Sequence, residues 1–339
     1  MINYIYQLTA PKVFNIKYSS ISKKGKVIVK PNYLSICHAD QRYYLGNRDI
    51  SILRKKLPMA LIHEACGKVV YDDTNTYKAG QKVVMIPNTP NPEKKSDVIF
   101  ENYTKGSKFL SSGYDGFMRE FVDMPLDRVV TYEGIPDNIA AITEFVSVGV
   151  HAITRFKLSS HKIRNSIGVW GDGSLAYVVA SILCIEFPKT KIYVIGKNIE
   201  KLKQFTFVNK TYLADELPDD FNVDHAFECA GGEGSYYAID DIIKYINPQG
   251  YVMLMGVSEN KVSINTRNIL EKGLSFIGCS RSGREDFKKA IEYMENKDLD
   301  KRLKTIICED SPVSNIGDVN RVFANDLNNP FKTVFKWNM

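Results

Sequence analysis

Apolar and polar residues alternate in short runs through the first part of the chain, in KVIVKPNYLSI, ACGKVVYDD, AGQKVVMIPNTP and REFVDMPLDRVVTY. A period of two, broken by turn residues, is the pattern of half-buried strands, so residues 1–140 read as a β-rich, barrel-like domain. After Pro136 the pattern changes. Continuous apolar runs (SIGVWG, KIYVIG, VDHAFECAG, GYVMLMG) alternate with helical segments (SLAYVVASILCIEF, NIEKLKQFTF, SYYAIDDIIKYI). Strands that are apolar on both faces and separated by helices predict a doubly wound parallel sheet over residues 141–280. Residues 281–339 supply one more helix, DFKKAIEYMEN, and a final strand, KTVFKW, expected to return to the first domain. The polar, Lys- and Pro-containing stretch from Asn88 to Gly113 lacks periodicity and reads as a long surface excursion.

Composition narrows the class without naming a function. A chain of 339 residues, 44% hydrophobic and 25% charged, is long enough for two α/β domains, each with its own core. The opening MINYIYQLTAPKVFNIKY lacks the apolar run of a signal peptide and no stretch is apolar for long enough to span a bilayer, so a cytoplasmic location without membrane association is expected. Six cysteines scattered along the chain do not form a disulfide framework. The net charge of +6 suits anionic small molecules, and no basic stripe interleaved with aromatics points to nucleic acid.

GVWGDGSLAYVVASIL carries Gly171, Gly173 and Ala176 in the GxGxxG/A pattern, after an apolar strand and at the opening of an apolar helix. A second strand, KIYVIG, follows at the spacing of a βαβ unit. Glycines permit the tight turn and let a pyrophosphate approach the helix N-terminus, so Gly171, Asp172, Gly173, Ser174 and Leu175 are the candidate cofactor contacts of a Rossmann domain. NAD-binding relatives of this unit end the second strand in an acid that holds the ribose 2′-OH; here the strand ends at Gly196, followed by Lys197 and, further on, Lys201. The absent carboxylate and the two lysines predict NADP(H), and Gly196→Asp is expected to move the preference toward NADH.

Cys37 in LSICHAD and His63 with Glu64 in LIHEACGKVV supply a thiolate, an imidazole and a carboxylate, and Glu144 follows in AAITEFVSVGVHAI. Each residue alone is more often a core or surface side chain than a ligand; their order together is what suggests zinc.

On these residues the chain resembles the zinc-containing medium-chain dehydrogenase/reductases, and within them the polyol dehydrogenases. The resemblance implies a GroES-like catalytic domain beside the Rossmann domain. It also implies one catalytic zinc held by Cys37, His63 and Glu144, with Glu64 beside it and Asp40 orienting the imidazole. Relatives carry a second, structural zinc on four cysteines in the excursion; residues 88–113 contain no cysteine, so no structural zinc is expected. Ala39 stands where many relatives have the Ser or Thr of a proton relay, which leaves metal-bound water, Glu64 or substrate hydroxyls to carry the proton. Ile62 replaces the usual Gly before His-Glu.

The segments INYIYQLTAPKVFNI, SICHADQRYYLGNR, TEFVSVGVHAI, WGDGSLAYV and CSRSGREDFKKAI are similar to those of the ribulose-5-phosphate reductases of teichoic-acid and capsule precursor synthesis. This implies reversible, NADPH-dependent reduction of D-ribulose 5-phosphate to D-ribitol 5-phosphate, a sugar-phosphate product that a cytidylyltransferase then activates, and a homodimer. Arg281 and Arg284 of CSRSGRED are the candidate phosphate clamp. The rival readings are a dehydrogenase of an unphosphorylated polyol or alcohol and a non-catalytic nucleotide-binding protein.

Overall fold

In the computed structural model, which describes residues 2–339 and the side chains of all of these save 95–97, strand Lys26–Ser35 is the organiser of the first unit. Its KVIVKPNYLS run buries Val27, Ile28 and Val29 in succession, covering both faces there where the alternating pattern predicts one, and it pairs antiparallel with Glu64–Asp72 on one side and the last strand, Lys332–Trp337, on the other. Val129–Thr131 and Lys82–Met85 extend the sheet beyond Glu64–Asp72, and Ile307–Val313 extends it beyond the last strand. Val122–Pro125 also pairs with the organiser, and Ile2–Ala10, Val13–Ser20 and Met59–Ala60 form a smaller sheet. Leu8, Leu34, Leu61, Phe117, Phe323, Phe335 and Trp337 belong to the shared core. Two consequences matter for chemistry. The register places Ser35 opposite Glu64 on one side and opposite Val334 on the other, so the C-terminal strand stands level with the start of Glu64–Asp72 across the organiser. By contact the chain divides into Met1–Ser147 with Arg281–Met339, and Val148–Ser280.

The second unit is a six-stranded parallel sheet in the order Lys210–Leu213, Lys191–Gly196, Ser166–Trp170, His225–Glu228, Tyr251–Leu254, Ser275–Gly278. The order in which strands are added reverses between the parallel neighbours Ser166–Trp170 and His225–Glu228, which makes the carboxyl ends of these two strands the switch point where open α/β sheets bind ligands. The helix Ser174–Glu186 that follows the glycine turn is apolar nearly all round, and Ala176 through Leu183 are buried.

His225 belongs to this core. Its Nε2 lies 2.9 Å from the Ile163 carbonyl and its Nδ1 accepts the Tyr251 N–H at 3.2 Å, an arrangement that only the neutral ring satisfies. Burial, with His161 alongside, lowers its pKa from 6.5 to about 4. The folded value lies below the unfolded one, so the unfolded chain takes up the proton first as pH falls. Stability should therefore drop between pH 6.5 and about 4, by up to about 3 kcal/mol from this group. Melting temperatures across that range check this, and His225→Gln should flatten the profile there.

Candidate active site

Cys37 occupies the N-cap of the helix His38–Tyr44, where extended backbone turns into the helix, and Asp40 in the first turn accepts the Cys37 N–H at 3.1 Å. His63 precedes the strand Glu64–Asp72 and Glu64 opens it. Sγ of Cys37, a ring nitrogen of His63 and a carboxylate oxygen of Glu64 all lie within 4.8 Å of one another. Nδ1 of His63 and Oε2 of Glu64 are buried without a hydrogen-bond partner. A sulfur, a ring nitrogen and a carboxylate oxygen that converge, on residues two of which also carry a buried polar atom without a partner, are the donor set that fits zinc.

Glu144, at the start of the helix Thr143–Ser159, stands outside that triad but is electrostatically coupled to it. Burial, with Glu64 nearby, pushes its carboxyl up to about 7 against the pull of His63. Burial works against a charged His63, yet Asp40 and Cys37 hold its pKa well above the ordinary value. Lys332 is only 5% exposed; it donates to Oε1 of Glu64 at 2.7 Å and to the Ile36 carbonyl at 2.7 Å, and its ammonium lies 4.8 Å from the Phe145 ring centre. The Arg281 guanidinium lies 4.7 Å over Phe109, and that ring meets His63 edge-on at 5.3 Å.

In the second unit, Gly171 has φ +137°, and a β-carbon there would lie 2.9 Å from the Cys229 carbonyl group, so the turn at the switch point requires glycine. Gly173 caps the helix that begins at Ser174, its α-carbon facing open space. Ser174 and Leu175 form the first turn, whose N–H groups and dipole suit a pyrophosphate. Lys197 lies in the open just past the second strand, its ammonium 4.7 Å from the Tyr237 ring centre, and Lys201 is in the short helix Ile199–Leu202.

Residues 23–137 match the alcohol dehydrogenase GroES-like domain and residues 196–296 match the zinc-binding dehydrogenase domain. Ribulose-5-phosphate reductase of Streptococcus pneumoniae is 56% identical over 99% of this chain and 98% of its own. Ribulose-5-phosphate reductase 2 of Staphylococcus aureus is 46% identical over 99% of both. The chain belongs to the ribulose-5-phosphate reductase family of zinc-binding dehydrogenases. A crystal structure of S. aureus TarJ in complex with NADPH superposes with a TM-score of 0.89 at 41% identity, covering all of both chains.

Within this family frame several residues have further contacts. Oδ2 of Asp40 lies 3.7 Å from His63 Nδ1, at ion-pair distance, while Oδ1 accepts the Ile62 N–H at 3.0 Å and the Ser111 hydroxyl at 2.7 Å. Asp40 therefore ties together the two backbone segments that carry Cys37 and His63. Ile62 has φ +69°, the left-handed region that glycine occupies freely and a β-branched residue enters at a cost of about 1–3 kcal/mol. That explains why glycine is usual there, and complete burial plus the bond to Asp40 hold Ile62 in place.

The two arginines of CSRSGRED do different work. Nη1 of Arg284 is committed to the Asp127 and Val129 carbonyls, both at 2.6 Å, and its backbone N–H to Glu101 at 2.7 Å. Arg281, at φ +58°, is turned toward Phe109 and is electrostatically linked to Glu144. The excursion is anchored by Arg128, 1% exposed, which pairs with Glu101 at 2.9 Å. Lys332 and Phe109 had no signal of their own in the sequence, because a lysine opening an apolar strand and a phenylalanine in an excursion acquire meaning only from the fold.

Proposed function

We propose that the protein reduces D-ribulose 5-phosphate to D-ribitol 5-phosphate with NADPH, reversibly and with one catalytic zinc per subunit. The observation that carries this reading is the 56% identity, over essentially the full length, to the pneumococcal ribulose-5-phosphate reductase. Cys37 and His63 would hold the metal. Glu64 completes the donor set in the arrangement described, and Glu144 is the second carboxylate available to it. When bound, zinc supplies Lewis acidity toward a carbonyl oxygen and NADPH supplies the hydride.

The protein's own residues do the placing. Asp40 fixes the Cys37 and His63 segments, Lys332 holds one oxygen of Glu64 and leaves the other open, and Ala39 offers no hydroxyl, so Glu64 or a substrate hydroxyl carries the proton. Gly171, Gly173 and the first turn of the following helix receive the pyrophosphate; Lys197, with Lys201, faces the 2′-phosphate. For the substrate phosphate the geometry favours Arg281 over Arg284, whose guanidinium already serves backbone carbonyls. A cytidylyltransferase would take the product. We further assign a cytoplasmic homodimer, supported by the edge strand Ser275–Gly278, whose outer side pairs with nothing in its own sheet; among the described residues no helix is long and apolar enough to cross a membrane.

NADPH consumption with ribulose 5-phosphate, ribulose and xylulose tests the substrate. Only the phosphorylated sugar should be reduced efficiently; comparable kcat/KM for free ribulose would overturn the reading. An arginine contact to phosphate is worth about 1.5–3 kcal/mol, so Arg281→Ala should raise KM for ribulose 5-phosphate about tenfold or more and leave free ribulose nearly unaffected. Arg284→Ala should lower thermal stability without that discrimination.

A further inference from the structure

Gly196 ends the second strand of the nucleotide-binding sheet, at the position where an NAD-binding protein places its ribose-binding acid. A carboxylate is present here all the same, but it comes from the first turn of the unit. Oδ2 of Asp172 accepts the backbone N–H groups of both Lys197 and Asn198, each at 2.7 Å. These charge-assisted bonds tie the glycine turn to the segment that follows the second strand. They also fill the space above Gly196. A β-carbon on Gly196 would lie 2.6 Å from Cβ of Asp172, 2.8 Å from its Oδ2 and 3.0 Å from Cδ2 of Leu202. Cβ of Asp172 is fixed to the turn backbone, so no side-chain rotation relieves the first contact.

We infer that Asp172 and Gly196 act as one coupled specificity element: Asp172 excludes any side chain at position 196 and holds the Lys197–Asn198 backbone that faces the cofactor's 2′ position. This rests on the NADPH reading above. It corrects the expectation that Gly196→Asp alone moves the preference to NADH. The new carboxylate has no room, and placing it would break the two bonds that position Lys197.

The test is a double-mutant cycle read by binding as well as turnover, with Kd for NADPH and NADH measured by fluorescence titration. The unmodified protein should bind NADPH more tightly; equal affinities would refute the cofactor reading and leave the coupling to be judged separately. Gly196→Asp should weaken NADPH at least tenfold without tightening NADH, and Asp172→Gly combined with Gly196→Asp should then bind NADH more tightly than either single variant. Asp172→Asn keeps an acceptor oxygen and should retain most of the NADPH affinity that Asp172→Gly loses. Gly196→Ala adds only a β-carbon, guarding against an unfolded Gly196→Asp. It should lower Tm by several degrees beside Asp172 and by much less in the Asp172→Gly background. Additive effects of the two positions on both Tm and Kd, or a clean switch to NADH by Gly196→Asp alone, would overturn the inference.

Discussion

Cys37→Ser and His63→Ala proteins should purify with far less than one zinc per chain and lose at least about 100-fold in kcat/KM, with the loss of metal and the loss of rate moving together. The magnitude has a floor. Replacing partners that merely orient zinc ligands costs 10–100-fold in affinity or activity, and these substitutions remove the donors themselves from a set of three. A serine hydroxyl in place of the Cys37 thiolate is a poor zinc donor, and alanine at position 63 removes the nitrogen altogether. Neither change should unfold the domain, since the cap of the helix His38–Tyr44 depends on the Asp40 carboxylate meeting the Cys37 N–H, which serine retains. Metal analysis, circular dichroism and steady-state rates on the same preparations check this. Full turnover with stoichiometric zinc in either protein would remove it from the ligand set. Glu144→Gln should weaken zinc binding and slow turnover without abolishing either, because Glu64 remains to supply a carboxylate.

The pattern of the chain carried the class of each domain, although the alternation in the first did not mean one buried face, since Val27, Ile28 and Val29 and then Val83, Val84 and Met85 are buried in succession. It also offered Cys37, His63, Glu64 and Glu144 as candidate donors, of which the fold brings the first three within reach of one another. Long-range register was not legible. That Ser35 lies opposite Val334 as well as Glu64, and that Lys332 reaches Glu64, depends on pairing the organiser with a strand about 300 residues further along the chain. The same holds for Asp172, which reads as part of a glycine motif and turns out to cap the backbone after the second strand. Ile62 was visible as a departure from the family, but its left-handed backbone was not, since a β-branched residue carries no signal for that conformation. Arg281 and Arg284 are three residues apart and chemically identical; only the folded chain separates a guanidinium held by two carbonyls from one stacked on Phe109.

Lys332→Met should cost the zinc-free protein about 3–5 kcal/mol, a large share of a domain's total stability. Lys332 and Glu64 are both buried and meet at 2.7 Å, and methionine nearly matches the lysine in length while removing the charge. What remains is the Glu64 carboxylate in a site screened from solvent, with Oε2 already lacking a partner and Oε1 newly deprived of one. Such a charge costs more to leave unpaired than the pair contributed when intact. Adding Glu64→Gln to Lys332→Met should therefore recover much of the loss, which a mere packing defect at position 332 would not allow. Zinc provides the sharper test. A divalent cation beside Glu64 supplies the positive charge that Lys332 gave up, so binding should offset part of the penalty in the folded state alone. Urea unfolding in chelator should separate Lys332→Met widely from the unmodified protein, the gap should narrow with zinc present, and the variant's apparent zinc affinity should rise by the matching factor. Equal stability of the two chelator-treated proteins would mean that Lys332 does not neutralise Glu64.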